Sequence, residues 1–592
     1  MVVSTMYPRV KRVRRGARTY EYLQLVEGRR DGAKVRQRVV ANLGRLDELK
    51  ASGQLDRWAG SWTRLDPPAA GTRRQVGPLL LVRHYLDRLG LAGLVDRAAP
   101  MRGRAQLTHG EVIAALVANR LSAPSPLYDV AGWASSAAMA ELFDIPAMLL
   151  NDDRLGRALE ALAPVAEHVR GELALAAAHR GGADLSRLHL DLTAVRFAGA
   201  YEDSSLVQKG WAADRSIARQ VRTLQASTPQ GVAVYLRPHT GSRSELPCFA
   251  EALDRLRELA PPGLVVVADS GLGYLAHLCA ADRAGLRFVV PLRADTGWAH
   301  AFTSDVGALD RLADLDYCSA RQQRLPPVDR TVWRGLLRPF AVTDPDTGTH
   351  HDLHVAYIWS SEEATSVADG RARALQRAEA TLAKVRNGLG GRYYKTRKQV
   401  DTKVAKLIGA NLAGLLHVAT GTRAGKPTLT WHRDEQAITA AGRLDGLYAL
   451  ATNLPGHPDR PLAAMDVLRL HKDQWIVEQR HRDLKQTLKV RPIFLHNDDR
   501  IAALVAVVGI ALLVFGLIEA DLRRALGPNA QLPGLLGEGR AAKPTGRSIL
   551  AAFHDLHLTY TATGPVLDRL TPTQRIILAH LDIPLPWPEK ST

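Results

Sequence analysis

The chain has 592 residues, of which 46% are hydrophobic and 23% charged, a composition typical of folded globular proteins that excludes a disordered chain. The length exceeds what a single core supports and predicts roughly three or four domains. Lys and Arg number 78 against 60 Asp and Glu, and the resulting net charge of +18 favours a polyanionic partner, most simply nucleic acid.

The first 50 residues predict a basic hairpin. Two strand-like runs, RTYEYLQLVEG and VRQRVVANLG, flank the turn signal Asp31-Gly32. This segment holds 13 Lys or Arg residues against 5 Asp or Glu residues. Such an excess is typical either of a solvated terminus or of an arm that contacts DNA phosphates.

The next segments predict a helical domain and then an α/β core. Leu and Ala follow helical spacing from about residue 78 to about 180. The core begins with the strand RLHLDLTAVRFAG, continues through GVAVYLRPHTG and the helix SELPCFAEALDRLREL, and reaches the buried strand in LVVVADSGLG. From about residue 295 to 440, two strands and a charged helical stretch (Glu363 to about Leu415) interrupt this order. The strand GLYALATNL and the helix containing WIVEQRHRDLKQTLK resume it.

Residues 501–518 form an uncharged run of 18 residues, which is the threshold length for a membrane span. The run is rich in Ala and Gly, is bounded by Arg500 and Glu519, and has no second segment of its kind. A helix that is apolar on all sides is also typical of the centre of a multilayered protein. We therefore predict a buried helix and no membrane association.

The three cysteines Cys248, Cys279 and Cys318 are scattered and form no C-x-x-C pair. The sequence therefore supports neither a zinc ribbon nor a disulfide framework. The N-terminus is basic and lacks the apolar region of a signal peptide. Both features lead us to expect a reduced, cytoplasmic setting.

Three acidic residues on core elements are candidates for metal binding. Asp191 lies on its strand at the parity opposite to the leucines, and Asp269 ends a buried strand, where capping a turn is the commoner role of Asp. On the later helix, Glu478, Arg482 and Lys485 share one face, a spacing that an ordinary exposed ion pair also has. Carboxylates from two strands and one helix can converge on two divalent cations, and such ligands suit Mg²⁺.

Several stretches resemble the DDE-type insertion-sequence transposases of the group with a Y-(2)-R-(3)-E-(6)-K signature, in the large form with an insertion domain. HLDLTAVRF resembles the strand with the first Asp, VVVADSGLG the strand with the second Asp, and VEQRHRDLKQTLKVRPIF the catalytic helix. The resemblance runs through most of the chain, from the N-terminal region to the strand in GRLDGLYALATNLP. Six residues separate Glu478 from Lys485, as the signature requires, whereas His471 and Gln474 replace its Tyr and Arg and His481 replaces a frequent aromatic.

The resemblance implies an α/β fold with an RNase H-like (retroviral integrase-like) mixed-sheet core, interrupted by an insertion domain and preceded by a basic hairpin element and a helical domain. It implies that Asp191, Asp269 and Glu478 are the catalytic residues and hold two Mg²⁺ or Mn²⁺ ions. The predicted segments are a basic hairpin element for DNA contact (1–65), a helical domain for binding DNA ends (75–182), the first part of the core (186–295), the insertion domain (296–440), the last core strand with the catalytic helix (441–530) and a C-terminal tail (531–592).

The predicted partner is DNA, both the terminal inverted repeats of the transposon and the target, bound by a homodimer in a synaptic complex at the bacterial nucleoid. The predicted DNA contacts are basic residues in and after the catalytic helix and in the insertion, where a solvated helix face is the alternative: Arg482, Lys485, Arg491, Lys395, Arg397 and Lys398.

Two other functions remain open from the sequence. A non-catalytic DNA-binding protein explains the charge but leaves the three carboxylates without a purpose. A metal-dependent phosphohydrolase or nuclease with the same core is the second alternative. A haloacid-dehalogenase-type phosphatase would need an Asp where Thr193 stands, and a serine hydrolase would need a Gly two residues before Ser270, where Ala268 stands.

Overall fold

The computed structural model describes residues 5–15, 18–31, 34–51, 68–101, 106–211, 216–259, 263–319, 321–409, 412–457, 459–489, 493 and 495–590. The chain forms two compact units. One takes in Met1–Val165 together with Asp521–Thr592, and the other takes in Ala166–Ala520.

The first unit begins with an antiparallel sheet of the strands β1 (Thr5–Arg15), β2 (Arg18–Asp31) and β3 (Lys34–Arg45), followed by helix α1 (Leu46–Ala51). The strand order is β1-β2-β3, so the predicted hairpin β2–β3 is confirmed. The additional strand β1 contains Pro8, which interrupts a strand pattern in the sequence but is tolerated at a sheet edge.

The helices predicted after the linker are also present. A capping box starts one of them, because Thr108 Oγ1 accepts a hydrogen bond from the Glu111 amide and Glu111 Oε2 accepts one from the Thr108 amide. The elements of this stretch are β4 (Arg73–Gln75), α2 (Leu79–Leu89), α3 (Leu91–Ala98), α4 (His109–Ser122), α5 (Val130–Ser136), α6 (Met139–Phe143) and α7 (Asp152–Leu162).

The second unit opens with α8 (Ala166–Gly181) and the predicted α/β core. Its elements are β5 (Arg187–Arg196), β6 (Gln208–Trp211), β7 (Ile217–Ser227), β8 (Ala233–Thr240), α9 (Glu245–Leu259), β9 (Val265–Ala268), α10 (Leu275–Arg283), β10 (Arg287–Pro291) and α11 (Trp298–Asp305). Five strands lie in the order β8-β7-β5-β9-β10. β7 is antiparallel to both β5 and β8, whereas β5, β9 and β10 run parallel. The helices α9 and α10 make the crossovers that lead into the parallel strands.

The same sheet continues into the segment predicted as an insertion. The strands β11 (Ala313–Leu315), β12 (Trp333–Thr343), β13 (His350–Ser360) and β16 (Leu447–Thr452) extend it in the order β11-β12-β13-β16-β10. β16 is antiparallel to both of its neighbours. The two strands read from the sequence in this segment therefore belong to the core sheet and not to a separate one.

Between β13 and β16 lies a cluster with its own apolar core, which includes Leu382, Val400 and Leu429. The charged stretch predicted as helical is two helices, because the chain turns at 388–396, where Gly390 has a positive φ. The hairpin β14–β15 that follows went unpredicted. The elements are α12 (Ser361–Asn387), α13 (Arg397–Leu407), β14 (Leu416–Arg423), β15 (Lys426–Arg433) and α14 (Glu435–Gly442).

Three helices complete the second unit: α15 (Ala464–Lys472), α16 (Trp475–Arg482) and the part of α17 (Asp498–Leu526) that ends at Ala520. Within the described residues, α17 alone is long and apolar enough to cross a membrane, and 94% of its most apolar window is buried inside the protein. The prediction of a buried helix is thus confirmed, because protein atoms cover its apolar surface.

The C-terminal residues return to the first unit. They form α18 (Gly546–Ala551), β17 (His557–Thr561), β18 (Gly564–Leu567) and α19 (Pro572–His580). β17 pairs with β4, so a small sheet joins the two ends of this unit. Asp521 also accepts hydrogen bonds from Tyr85 and Arg88, at 2.9 and 2.6 Å.

Candidate active site

Two of the predicted carboxylates lie side by side. In the parallel pair β5–β9, Leu190 is the register partner of Ala268. Asp191 is the next residue of β5, and Asp269 is the first residue after β9. Residues at matching positions of parallel strands point to the same face of the sheet. The strand pairing therefore brings both carboxylates together at the end of β9.

Asp269 combines a capping role with an unusual electrostatic environment. Its Oδ1 accepts a hydrogen bond of 2.9 Å from the Gly271 amide. Asp269 therefore caps the turn that follows β9, which is the common role of Asp at such a position. Burial raises the pKa of Asp269 to about 6, and the negative charges of Asp191 and Glu245 act in the same direction, against the Gly271 hydrogen bond. Glu245, at the start of α9, is a fourth acidic neighbour that the sequence did not single out.

The helix that carries Glu478 is anchored on β5 by Gln474, the residue that precedes it. Gln474 Nε2 donates to the Leu190 carbonyl at 2.7 Å, and Gln474 Oε1 lies 3.3 Å from His189 Nδ1. Gln474 is 9% exposed. The residue that replaces the signature Arg is therefore a buried contact between the helix and the strand of Asp191.

His481 places the next turn of α16 against Asp191. The His481 Nδ1 lies 3.2 Å from Asp191 Oδ2. Glu478 precedes His481 by three residues and so shares its side of the helix, with an exposed side chain. Glu478 was predicted from the sequence. His481 was noted only as a departure from the family pattern, and its contact with Asp191 was not predicted.

Beyond Arg482 the helix continues as a π-helical segment, Asp483–Thr487. The Leu488 amide donates to the Asp483 carbonyl five residues back, at 2.9 Å, which is the π-helical pattern and is frequent at functional sites. The regular spacing predicted for Glu478, Arg482 and Lys485 is thereby altered. Lys485 Nζ nevertheless donates to Thr193 Oγ1 at 2.5 Å.

Thr193 lies two residues after Asp191 and therefore on the same face of β5. The side chains that contact this face, His481 on Asp191 and Lys485 on Thr193, thus follow the strand in order. Arg482 is exposed between them. Arg491 lies outside the described residues.

A buried ionic network fixes the back of this helix. Arg480, 2% exposed, donates to the Gly231 carbonyl at 2.6 Å and pairs with Asp483 at 2.9 Å and Glu519 at 3.0 Å. Its guanidinium also lies 5.3 Å from the ring centroid of Phe515. Since Glu519 and Phe515 belong to α17, the apolar helix holds the π-helical segment in place.

The basic residues predicted in the insertion lie apart from this helix in the fold. Lys395, Arg397 and Lys398 are exposed at the start of α13. Thr396 caps that helix, so the three side chains surround a capped helix N-terminus. In the described part of the chain, the ion pair of Arg397 with Asp401, at 3.6 Å, is local.

The donor set at the junction of β5, β9 and α16 suits a hard divalent cation. Asp191 and Asp269 offer carboxylate oxygens, which are the ligands that Mg²⁺ prefers. Burial, and after it the negative charge of Asp191, raise the pKa of Asp269, and a bound cation would compensate both effects. Glu478, which is exposed and lies one turn before His481 on α16, is the third candidate ligand.

Comparison with known proteins gives two family matches, both N-terminal to this site. Residues 8–70 match the IS1634 family transposase, N-terminal domain, and residues 72–169 match a domain of unknown function (DUF4277). No curated protein matches the chain significantly. The matched segments cover the basic sheet and the helices that follow it, and together they support an insertion-sequence transposase.

Proposed function

We propose that the chain is a DDE-type transposase, in which Asp191, Asp269 and Glu478 hold two Mg²⁺ or Mn²⁺ ions and cleave and join DNA strands. The observation that carries the proposal is the adjacency of Asp191 and Asp269 on parallel strands, with α16 contacting the same strand through His481. The strand order β8-β7-β5-β9-β10, with its antiparallel and parallel halves, supports the RNase H-like core that the sequence resemblance implies.

The residues at the candidate site have different roles in such a reaction. The three carboxylates hold the cations, which when bound stabilise the attacking and leaving oxygens of an in-line phosphoryl transfer. The Gly271 amide orients the Asp269 carboxylate, and the Gln474 and His481 contacts fix the distance between α16 and β5. We assign Lys485, which donates to Thr193, to binding a phosphate next to the one that is cut.

The DNA itself is bound mainly elsewhere. The basic three-stranded sheet and the helices after it carry the transposase family match, and we assign them to recognition of the terminal inverted repeats. The net charge of +18 supports extensive phosphate contact with the ends and with target DNA. Synapsis of two ends by a homodimer completes the proposal.

The test is strand cleavage of a DNA duplex that carries the terminal repeats flanking the coding frame. Purified protein with Mg²⁺ or Mn²⁺ should nick the transposon end and join it to a second duplex. Asp191→Ala, Asp269→Ala and Glu478→Ala should each abolish cleavage and leave end binding largely intact, because most affinity comes from phosphate contacts. Asp254→Ala, an exposed acid on α9, is the matched control and should cleave normally.

Other outcomes would favour the alternatives. Metal-dependent nicking without joining would favour a nuclease with the same core, and end binding without any cleavage would favour a non-catalytic DNA-binding protein. A triad variant that cleaves at the wild-type rate would remove that residue from the site.

A further inference from the structure

A second cluster of metal-ligating side chains lies in the second unit, at the end of α10 and the β12–β13 hairpin. The Sγ of Cys279, a carboxylate oxygen of Asp344 and a ring nitrogen of His351 lie within 4.8 Å of one another. All three residues are buried, with exposed fractions of 0%, 1% and 5%. Cys279 belongs to α10, Asp344 follows β12, and His351 lies in β13.

His351 provides an independent indication of a ligand. Its Nδ1 lies 2.7 Å from Asp282 Oδ2, so this carboxylate holds the ring in place as the acceptor of a hydrogen bond from Nδ1. Its Nε2 is buried and has no hydrogen-bond partner. A carboxylate that holds one nitrogen of an imidazole while the other is left unprotonated is the usual arrangement around a metal-bound histidine. Leaving such a nitrogen without a partner is otherwise costly.

The charges around the cluster are consistent with a divalent cation. Asp344 pairs with Arg283 and also accepts hydrogen bonds from Thr347 Oγ1 and the Asp346 amide, at 2.8 and 2.9 Å. Asp282 and Asp344 bring two negative charges to the cluster, against the one positive charge of Arg283. A bound cation would compensate the remaining negative charge.

We propose that Cys279, Asp344 and His351 form a Zn²⁺ site that joins α10 to the β12–β13 hairpin. A thiolate sulfur and an imidazole nitrogen are soft and borderline ligands, which select zinc and disfavour Mg²⁺. The thiol proton of Cys279 passes to solvent when the metal binds, and a water molecule supplies the fourth ligand. The site is separate from the carboxylates of Asp191 and Asp269 in both position and ligand chemistry, and it does not depend on the proposed function.

The experiment is metal analysis of the full-length chain after chelation, reloading with Zn²⁺ and gel filtration. We expect one zinc ion for each wild-type chain, retained by Cys248→Ser, which changes the other fully buried cysteine, and by the double variant Asp191→Asn/Asp269→Asn. Cys279→Ser and His351→Gln should lose the ion. Asp282→Asn, which acts only through His351, should weaken zinc binding by about 10- to 100-fold.

Cobalt substitution tests the same site without any variant, in case the changed chains fail to fold. Co²⁺ bound to the wild-type chain should show a thiolate-to-cobalt charge-transfer absorption that Zn²⁺ removes on displacement. A wild-type chain that retains no zinc, or one whose cobalt form lacks this absorption, would overturn the proposal. Retention of zinc by both Cys279→Ser and His351→Gln would overturn it equally.

Discussion

Asp269 lies directly beside Asp191, because the residues that precede them, Ala268 and Leu190, are register partners in a parallel pair of strands. Burial and the neighbouring charge raise the pKa of Asp269 to about 6 from an ordinary 3.8. The folded protein therefore binds this proton more tightly than the unfolded chain does. As a result, ionisation of Asp269 destabilises the fold progressively between about pH 4 and pH 6 and by a constant amount above that range.

The first prediction concerns how the stability of Asp269→Asn depends on pH. Asp269→Asn should be more stable than the wild type at pH 8 by up to about 3 kcal/mol, and the difference should vanish below about pH 3. The measurement is urea unfolding in a metal chelator at several pH values, with Asp254→Asn, an exposed acid, as the control. A difference that does not change with pH would contradict the assigned pKa.

The buried pairing of Arg480 with Glu519 supports a second prediction. Arg480→Met removes the buried cation that pairs with Asp483 and Glu519 and should cost about 3–5 kcal/mol in the free energy of unfolding. Additional replacement of Glu519 by Gln should recover part of the loss. The matched control is Arg482→Met, an exposed change two residues away that should stay within about 0.5 kcal/mol. Equal effects of the two Arg variants would show that the network does not stabilise the helix.

The elements with strong local patterns could be predicted from the sequence. The hairpin β2–β3, the helices after the linker and the strands β5 and β9 all have clear periodicity or turn signals, and the structure contains them. The strand β4 could not be found in this way. Its three residues are too short for a period, and their pairing with β17 joins segments almost 500 residues apart, which only tertiary packing determines.

In the candidate site, too, local patterns could be predicted from the sequence and long-range contacts could not. Parity along the strand and the end of a buried run pointed to Asp191 and Asp269, whose assignment as catalytic residues remains a prediction. The contact of His481 with Asp191 depends on how α16 crosses β5, for which a single sequence has no signal. The π-helical segment likewise has no signal in a single sequence, so the spacing of Lys485 from Glu478 could be counted but its position could not.

The basic residues at the start of α13 support a third prediction. If Lys395, Arg397 and Lys398 contact DNA phosphates, changing all three to Gln should weaken binding to any sequence. The slope of log affinity against log salt should then decrease by about 2 to 3, since each phosphate contact contributes about 0.9. The measurement is fluorescence anisotropy with a DNA duplex at several salt concentrations.

The control for this prediction makes the same change of charge elsewhere in the second unit. Arg311, Arg321 and Arg324 are exposed on the segment between α11 and β12, and their replacement by Gln should leave the slope close to that of the wild type. If the two triple variants have the same slope, the α13 residues are an ordinary solvated helix face.

The last prediction separates two roles for Lys485, whose Nζ donates to Thr193 Oγ1 on the strand of Asp191. If Lys485 grips DNA, Lys485→Ala should weaken complexes with transposon ends, and raised Mg²⁺ should not restore activity. Lys485→Arg should recover part of the loss, because it keeps the charge but changes the geometry.

The control is Thr193→Val, which removes the hydrogen bond from Lys485 to Thr193 and should leave end binding close to normal. Gel-shift assays with the end duplex and cleavage over a range of Mg²⁺ concentrations measure both effects. Full recovery of Lys485→Ala by excess metal, or an equal loss of end binding in Thr193→Val, would instead show that Lys485 only organises the metal-binding face of β5.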